Sequence, residues 1–285
     1  MPVITLTTDY GNKDYFAAAL KGNILKQNSE VRIIDVTHQI KPFQIGEAAY
    51  ILSNAYKHFP KGSIHIVDID SEKTKEKNHV AIEHNGHYFI GADNGMFSLM
   101  FYGAELENIY QLSIDRSIDH DTIFPAKDIF ATAASHLSKG GTLHVIGRKI
   151  EKLKAQTPLK PSLTDDGNII TASVIYIDRM GNVVLNITKQ DFQSTCKGRS
   201  FSITAFKKGA RVSSMAYKGR SIKDNIDKIH DTYTGVGEGG IVALFNSAQH
   251  LEIAINRYDS NINGGAALIL GLKYADTIHI QFNDH

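Results

Sequence analysis

Val3-Ile4-Thr5-Leu6-Thr7-Thr8-Asp9-Tyr10-Gly11-Asn12-Lys13-Asp14 passes from an apolar, β-branched run into a polar turn, and from there into a helix-like stretch from Tyr15 to Lys26. A strand that delivers two carboxylates to the start of a helix reads as the first half of a βαβ unit. In an open α/β sheet, ligands sit in the crevice outside the carboxyl ends of the strands, which puts Asp9 and Asp14 at the mouth of a candidate site. Carboxylates accept charge-assisted hydrogen bonds from sugar hydroxyls and repel phosphates, whereas a phosphate-cradling turn is built from glycines and a lysine. The turn therefore points to a hydroxyl-rich, non-phosphorylated ligand. The purely structural alternative makes Asp14 a helix N-cap and Asp9 a turn former.

Working outward, β-branched runs at Val31 to Val36, Ser63 to Asp68 and Asn108 to Leu112 alternate with helical patterns at Ile45 to His58, Met96 to Phe101 and Asp128 to Leu137. The alternation predicts an α/β domain with a mainly parallel sheet. Asn85-Gly86 between Val80 to Glu83 and His87 to Ile90 predicts an antiparallel hairpin attached to that sheet. From Gln156 to Gly167 the chain turns to Pro158, Pro161, Asp165, Asp166 and Gly167 without either period, and the linker is placed there. Beyond it, short strands at Ile169 to Ile177, Val183 to Ile187, Ser200 to Ala205, Ile241 to Asn246, Leu251 to Ile255 and Thr277 to Phe282 predict a small β-barrel. The expected domains are residues 1–157 and 164–285.

The 285 residues carry 31 basic and 30 acidic side chains, net +1, so no global field recruits nucleic acid or a membrane surface. The single cysteine, Cys196, excludes an internal disulfide. Asp9 breaks the first apolar run and no apolar stretch of about 18 residues occurs, from which a soluble, cytoplasmic protein is expected.

Gly235-Val236-Gly237-Glu238-Gly239-Gly240 has the look of a dinucleotide loop, but it precedes a strand instead of joining a strand to a helix, so it reads as a flexible turn. Among the 13 histidines, His79, His84 and His87 crowd one hairpin at no zinc-binding spacing; they read as surface residues, and no metal site is expected. Asp119-His120-Asp121 reads as solvated loop. Lys73 to Lys77 is a charge run directly after the strand that ends in Asp68, which keeps it near the crevice.

Several pieces, in order, carry a resemblance: Thr8-Asp9-Tyr10-Gly11 with Asp14, Asp35-Val36-Thr37-His38 before Pro42-Phe43, Ala92-Asp93-Asn94-Gly95, Lys127-Asp128-Ile129-Phe130, Ile177-Asp178-Arg179-Met180-Gly181-Asn182, and Asn246-Ser247 with Leu251-Glu252-Ile253-Ala254. Together they resemble the S-adenosylmethionine (SAM) hydroxide adenosyltransferase family, relatives of the SAM-dependent fluorinase and chlorinase, over nearly the whole chain. The resemblance implies an N-terminal α/β domain, a C-terminal β-barrel, and a homotrimer whose sites form between subunits. It implies SAM or adenosine as the ligand, no further cofactor, and no nucleic-acid or membrane partner. By the same resemblance Asp9 holds the ribose hydroxyls, Asp14 the methionine end, and Phe43 an apolar wall. Asp178 and Asn182 contact the amino-acid and adenine ends, Met180 stands where an aromatic often stacks, and Ser247 with the Ile255-Asn256 backbone completes the adenine pocket.

Hydrolytic members resemble one another in an Asp, Arg and His set that orients water for attack at ribose C5′. Here Asp68 matches the carboxylate, Lys75 falls at the arginine position with Lys73 and Lys77 as neighbours, and Pro125 falls at the histidine position. A lysine keeps the charge but not the planar two-pronged grip, and proline has neither imidazole nor backbone N–H. The implied activity is slow hydrolysis of SAM to adenosine and L-methionine, with Asp68 and Lys75 as the catalytic pair and His120 as a stand-in for the imidazole. The alternative is a catalytically silent SAM- or adenosine-binding protein. A third reading is halide transfer, for which relatives carry a tyrosine where this chain has Asp68.

Overall fold

The opening strand β1 (Val3–Thr8) is flanked on both sides by parallel partners, β2 (Arg32–Thr37) and β3 (Ile64–Asp68). The computed structural model describes residues 1–113, 122–205, 225–257 and 265–283. Two compact units are present, Met1–Pro158 and Leu159–His285.

In the first unit, α1 (Phe16–Gln27) joins β1 to β2 and α2 (Ile45–Ala55) joins β2 to β3. Beyond β3 lie the hairpin of β4 (His79–His84) and β5 (His87–Ala92), then α3 (Met96–Met100), β6 (Asn108–Leu112), a π-helical turn Ala126–Phe130 running into α4 (Ala131–Ser138), α5 (Leu143–Ile146) and β7 (Gly147–Ile150). The seven strands are ordered β2-β1-β3-β5-β4-β6-β7. The ladders from β2 to β5 are parallel, and those from β5 through β4 and β6 to β7 are antiparallel. The sheet is therefore mixed, not mainly parallel: the β4–β5 hairpin reverses direction, and β6 and β7 each run antiparallel to the strand they pair with.

Successive side chains of each strand point to opposite faces, and the two cores follow that alternation. Ile64 and Ile66 of β3, Ala81 of β4 and Ile90 of β5 join Leu20 and Ile24 of α1 and Phe130, Ala131 and Ala134 on one face. Val67, Val80, Ile82 and Phe89 join Ala48, Ala49 and Leu52 of α2 and Phe97 of α3 on the other. The helices must divide this way. The chain moves from β1 to β2 and then back past β1 to β3, and right-handed crossovers in opposite directions lay their helices on opposite faces.

The hairpin turns at Asn85 (φ 51°) and Gly86 (φ 77°), the pair of positive φ values that a two-residue turn matched to strand twist requires. His79 and His87, expected at the surface, are buried. His87 Nδ1 lies 3.2 Å from His65 Nε2, and His65 Nδ1 lies 2.7 Å from the Thr5 hydroxyl. Burial, with His87 adding, drives His65 down to about 3, so the buried imidazole stays neutral.

The second unit comprises β8 (Ser162–Leu163), β9 (Ile169–Ile177), β10 (Val183–Thr188), α6 (Lys189–Cys196), β11 (Phe201–Thr204), β12 (Ile229–His230), β13 (Ile241–Phe245), β14 (His250–Ile255), α7 (Gly265–Leu270) and β15 (Thr277–Phe282). Its strand order is β11-β15-β9-β10-β14-β13-β12, with β8 beside β9. Every second residue faces the core: Ile170, Ala172 and Val174; Val183, Leu185 and Ile187; Leu251, Ile253 and Ile255; Ile278, Ile280 and Phe282. An antiparallel bridge from Ile203 of β11 to Ile226, just ahead of β12, draws the ends of the sheet toward each other, so it curls as a half-barrel around that core. Among the described residues no helix is long and apolar enough to cross a membrane.

Candidate active site

Because β1 feeds α1 toward one face and β3 is entered from the other, a crevice opens at the carboxyl ends of these two strands. Thr8 of β1 stands opposite Asp68, the last residue of β3, and Asp9 is the next residue along the chain. The register against β2 shifts between Leu6 and Thr7, where Val36 of β2 is the extra residue. Asp9, Asp68 and Phe43 meet in a cleft of about 280 Å³ that Tyr10, Phe16, Asp70, Ser71, Glu72, Ile123, Phe124 and Pro125 complete.

Asp9 is tied to the loop after β2. The Phe43 backbone N–H donates to Asp9 Oδ2 at 3.0 Å, and Phe43 takes a left-handed φ of 64° that leaves its ring 71% exposed beside the cleft. That conformation costs a non-glycine residue roughly 1–2 kcal/mol, so the ring's placement is held against strain. Further anchors come from the Gly11 N–H to the His38 carbonyl (2.6 Å) and the Thr8 hydroxyl to His38 Nδ1 (2.7 Å). Behind them His38 Nε2 lies 3.1 Å from Asp35 Oδ1, and Lys21 Nζ donates to Asp35 Oδ2 at 2.5 Å. The apolar wall is an aromatic cluster: Tyr10, Phe16 and Phe124 pack with centroids 5.5 to 5.7 Å apart.

Asp68 is the electrostatic centre. It is only 4% exposed, Ser71 lines the cleft with it, and Oδ1 has no hydrogen-bond partner among the described residues. Burial pushes its pKa up to about 7; the Ser71 side chain pulls against this and the nearby charge of Asp9 adds to it. Asp9 is also raised by burial, opposed by the Phe43 N–H, with Asp70 adding. A buried carboxyl poised near neutrality beside a second carboxylate is suited to taking a proton from water.

Other residues named from the sequence fall elsewhere. Asp14 is exposed and does not line the cleft, and it is not an N-cap either, since α1 is preceded by Tyr15 in that position without a side-chain cap. Lys75 is exposed in the Thr74–Lys77 turn, outside the cleft lining. Lys77 instead reaches the rim, donating to Asp70 Oδ1 at 2.7 Å. Pro125 is buried in the cleft wall. His120 lies outside the described residues.

In the second unit, Asp178 and Asn182 engage each other: the Asn182 backbone N–H donates to Asp178 Oδ1 at 2.8 Å and its Nδ2 to Oδ2 at 2.9 Å. Met180 is half-exposed on the same turn. That turn is clasped by α7, whose Ala267 N–H donates to the Gly181 carbonyl at 2.8 Å. Gly265 is obligatory there, because a Cβ would fall 2.3 Å from the Met180 carbonyl oxygen. Asp178 borders a second cleft of about 340 Å³ with Arg179, Leu268 and Lys273. Ser247 is exposed. Ile255 pairs with Ile241, and Asn256 is committed to the glycine run: its N–H donates to the Gly240 carbonyl, its carbonyl accepts from Gly239, and its Nδ2 donates to the Val236 carbonyl.

Two buried polar residues were given no role of their own in the sequence reading. Ser71 carries no motif signal, because its role depends on how the chain reverses after β3. Glu252 is buried and accepts from Tyr233 Oη at 2.8 Å and Asn246 Nδ2 at 3.1 Å; its alternation with core residues in β14 was the available sign. Burial raises its pKa, those two bonds oppose it, and the charge of Asp178 adds.

Residues 4–147 match the SAM hydroxide adenosyltransferase N-terminal domain and residues 172–279 the SAM hydroxide adenosyltransferase C-terminal domain. The chain is 27% identical over 287 residues to (R)-S-adenosyl-L-methionine hydrolase of Methanocaldococcus jannaschii, covering 99% of this chain and 97% of that one. It is 20% identical over 225 residues to fluorinase of Actinopolyspora mzabensis, covering 69% and 75% respectively. A solved structure, an uncharacterized conserved protein from Thermotoga maritima, shares the fold with a TM-score of 0.79 at 24% identity over 99% of this chain and 100% of that one. With both domain matches in order over most of its length, the chain belongs to the SAM hydroxide adenosyltransferase family.

Proposed function

We propose that this chain hydrolyses SAM to adenosine and L-methionine by attack of water at ribose C5′. The observation that carries it is Asp68, a buried carboxyl with one unbonded oxygen, at the C-terminal end of the strand next to Asp9. In the reaction the water oxygen bonds to C5′, the C5′–S bond breaks with its electrons going to the methionine sulfur, and the water proton passes to Asp68 and on to solvent. The sulfonium is its own good leaving group, so no further cofactor is needed. Asp9 takes the ribose hydroxyls, Phe43 and the aromatic cluster wall the sugar, and Asp14, Asp178, Met180, Asn182, Ser247, Ile255 and Asn256 serve the methionine and adenine ends. The homotrimer is part of this proposal, with the second unit of a neighbouring subunit closing the cleft.

Four carboxylates, Asp9, Asp68, Asp70 and Glu72, line the cleft. They favour a cationic sulfonium and disfavour a halide, since two like charges about 4 Å apart repel by roughly 4 kcal/mol near a protein surface. Water is therefore the nucleophile and halide transfer is disfavoured. Lys75 outside the cleft and Pro125 in its wall are the observations that favour the silent binder, and they make turnover slow.

The test supplies SAM in both sulfonium epimers, because the relative's name specifies (R), in ¹⁸O-labelled water with and without chloride and fluoride. Adenosine carrying ¹⁸O at its 5′ hydroxyl establishes hydrolysis. Saturable SAM binding with no adenosine above the uncatalysed background establishes the silent binder, and a 5′-halogenated nucleoside would establish halide transfer.

A further inference from the structure

Asp9 reaches the cleft from a short stretch of backbone that is tied, on either side of it, to the loop after β2. The tie is centred on His38, which is buried and is not among the residues lining the cleft. Its ring and its main chain both meet the turn after β1: Nδ1 lies 2.7 Å from the Thr8 hydroxyl, and the His38 carbonyl accepts from the Gly11 N–H at 2.6 Å. Two further bonds complete the lacing. The Thr8 carbonyl accepts from the Ile40 N–H at 3.4 Å, and the Thr8 hydroxyl oxygen accepts from the Tyr10 N–H at 3.5 Å, spanning Asp9.

The far side of the ring is fixed as well. His38 Nε2 lies 3.1 Å from Asp35 Oδ1, and Asp35 is held in turn by Lys21 of α1. A nitrogen lone pair so close to a carboxylate is repelled, so the neutral ring carries its proton on Nε2 and Nδ1 accepts from the Thr8 hydroxyl. Thr8 is fully buried, and a buried hydroxyl that loses its partner is costly, so without the imidazole the turn shifts to find another.

We propose that His38 is the positioning residue for Asp9, fixing the turn from which that carboxylate meets the ribose hydroxyls; the ligand in this statement rests on the SAM reading. His38 acts through hydrogen bonds alone: no bond of the substrate changes there and no proton leaves the ring.

Two measurements test this, the first without any ligand. The Phe43 N–H donates to Asp9 Oδ2 at 3.0 Å from an exposed residue, so its hydrogen exchange reports whether the carboxylate is in place. His38→Leu and Thr8→Val are each expected to speed exchange at the Phe43 amide about tenfold, approaching the rate in Asp9→Ala, while Thr8→Ser keeps it within about twofold of wild type. Thr8→Val carries this arm by itself where His38→Leu does not fold. Exchange at Phe43 within about twofold of wild type in the folded variants overturns the proposal. The second measurement is SAM affinity by calorimetry in a double-mutant cycle with Asp9→Ala. His38→Leu is expected to weaken SAM about tenfold in the wild-type background and less than about twofold in the Asp9→Ala background, because the group it positions is already gone. Equal losses in both backgrounds assign His38 to general support of the fold and overturn the proposal. A wild-type protein that binds no SAM fails the SAM reading instead, and exchange at Phe43 then decides the role of His38.

Discussion

At the scale of single residues, the site is built on the contrast between two aspartates one strand apart. Asp9 is half-covered and held by a backbone N–H, whereas Asp68 is buried with an oxygen to spare. Asp68→Asn is expected to abolish adenosine release while leaving the SAM dissociation constant within about threefold by calorimetry, since the amide keeps the shape but takes no proton. Asp9→Ala is expected to weaken SAM binding about 100-fold in the same measurement, the loss of charge-assisted bonds to two hydroxyls. The pKa of Asp68, about 7 in the folded protein against 3.8 ordinarily, also sets a pH dependence of stability. The folded state binds that proton more tightly, so the stability linked to it is complete below the ordinary value and is lost as pH rises through 7. Asp68→Asn should therefore melt higher than wild type at about pH 8, by an amount on the order of 4 kcal/mol, and alike at about pH 4. A variant melting below wild type at the higher pH would mean the carboxylate is better solvated than its burial suggests.

At the scale of elements, the loops after β1, β2 and β3 do the positioning. Phe43 holds a left-handed backbone with an exposed ring, so glycine fits its conformation without loss of packing. Phe43→Gly is expected to keep unfolding free energy within about 1 kcal/mol of wild type while weakening SAM binding about tenfold. Equal losses in both would make the ring a structural element. What the sequence made legible here was local. Asn85-Gly86 specifies its turn through two positive φ values, and the apolar runs of β1, β3, β9 and β15 mark their strands by composition and alternation. Strand order was not legible, because the β4–β6 and β6–β7 ladders depend on pairings far apart in the chain. The resemblance put Lys75 at the arginine position with Lys73 and Lys77 as neighbours; in the structure Lys75 is exposed in the Thr74–Lys77 turn and Lys77 reaches Asp70 at the rim. Ser71 was invisible because its place in the cleft depends on the φ of a non-glycine residue, Asp70. Asp9 and Asp68 could be found because strand ends beside a crevice are a rule of the architecture, and Asp14 could not be tested by that rule once the helix began beyond it.

At the scale of the whole molecule, each unit has its own apolar core, one divided between the two faces of its sheet and one enclosed by a curled sheet. Sedimentation equilibrium across a tenfold or greater concentration range is expected to return three times the chain mass of 31.5 kDa; a monomer retaining full adenosine release would remove the neighbouring subunit from the site. The reversal of strand order at β1 has a consequence for how such a protein changes over time. Asp68 ends β3 and Asp9 follows the paired Thr8 of β1, so the ladder between the two strands holds both aspartates in place, whereas Phe43 and Ser71 hang from connecting segments with no ladder to keep. Substitutions in those segments can therefore change what lies over the cleft while the paired strand ends stay as they are.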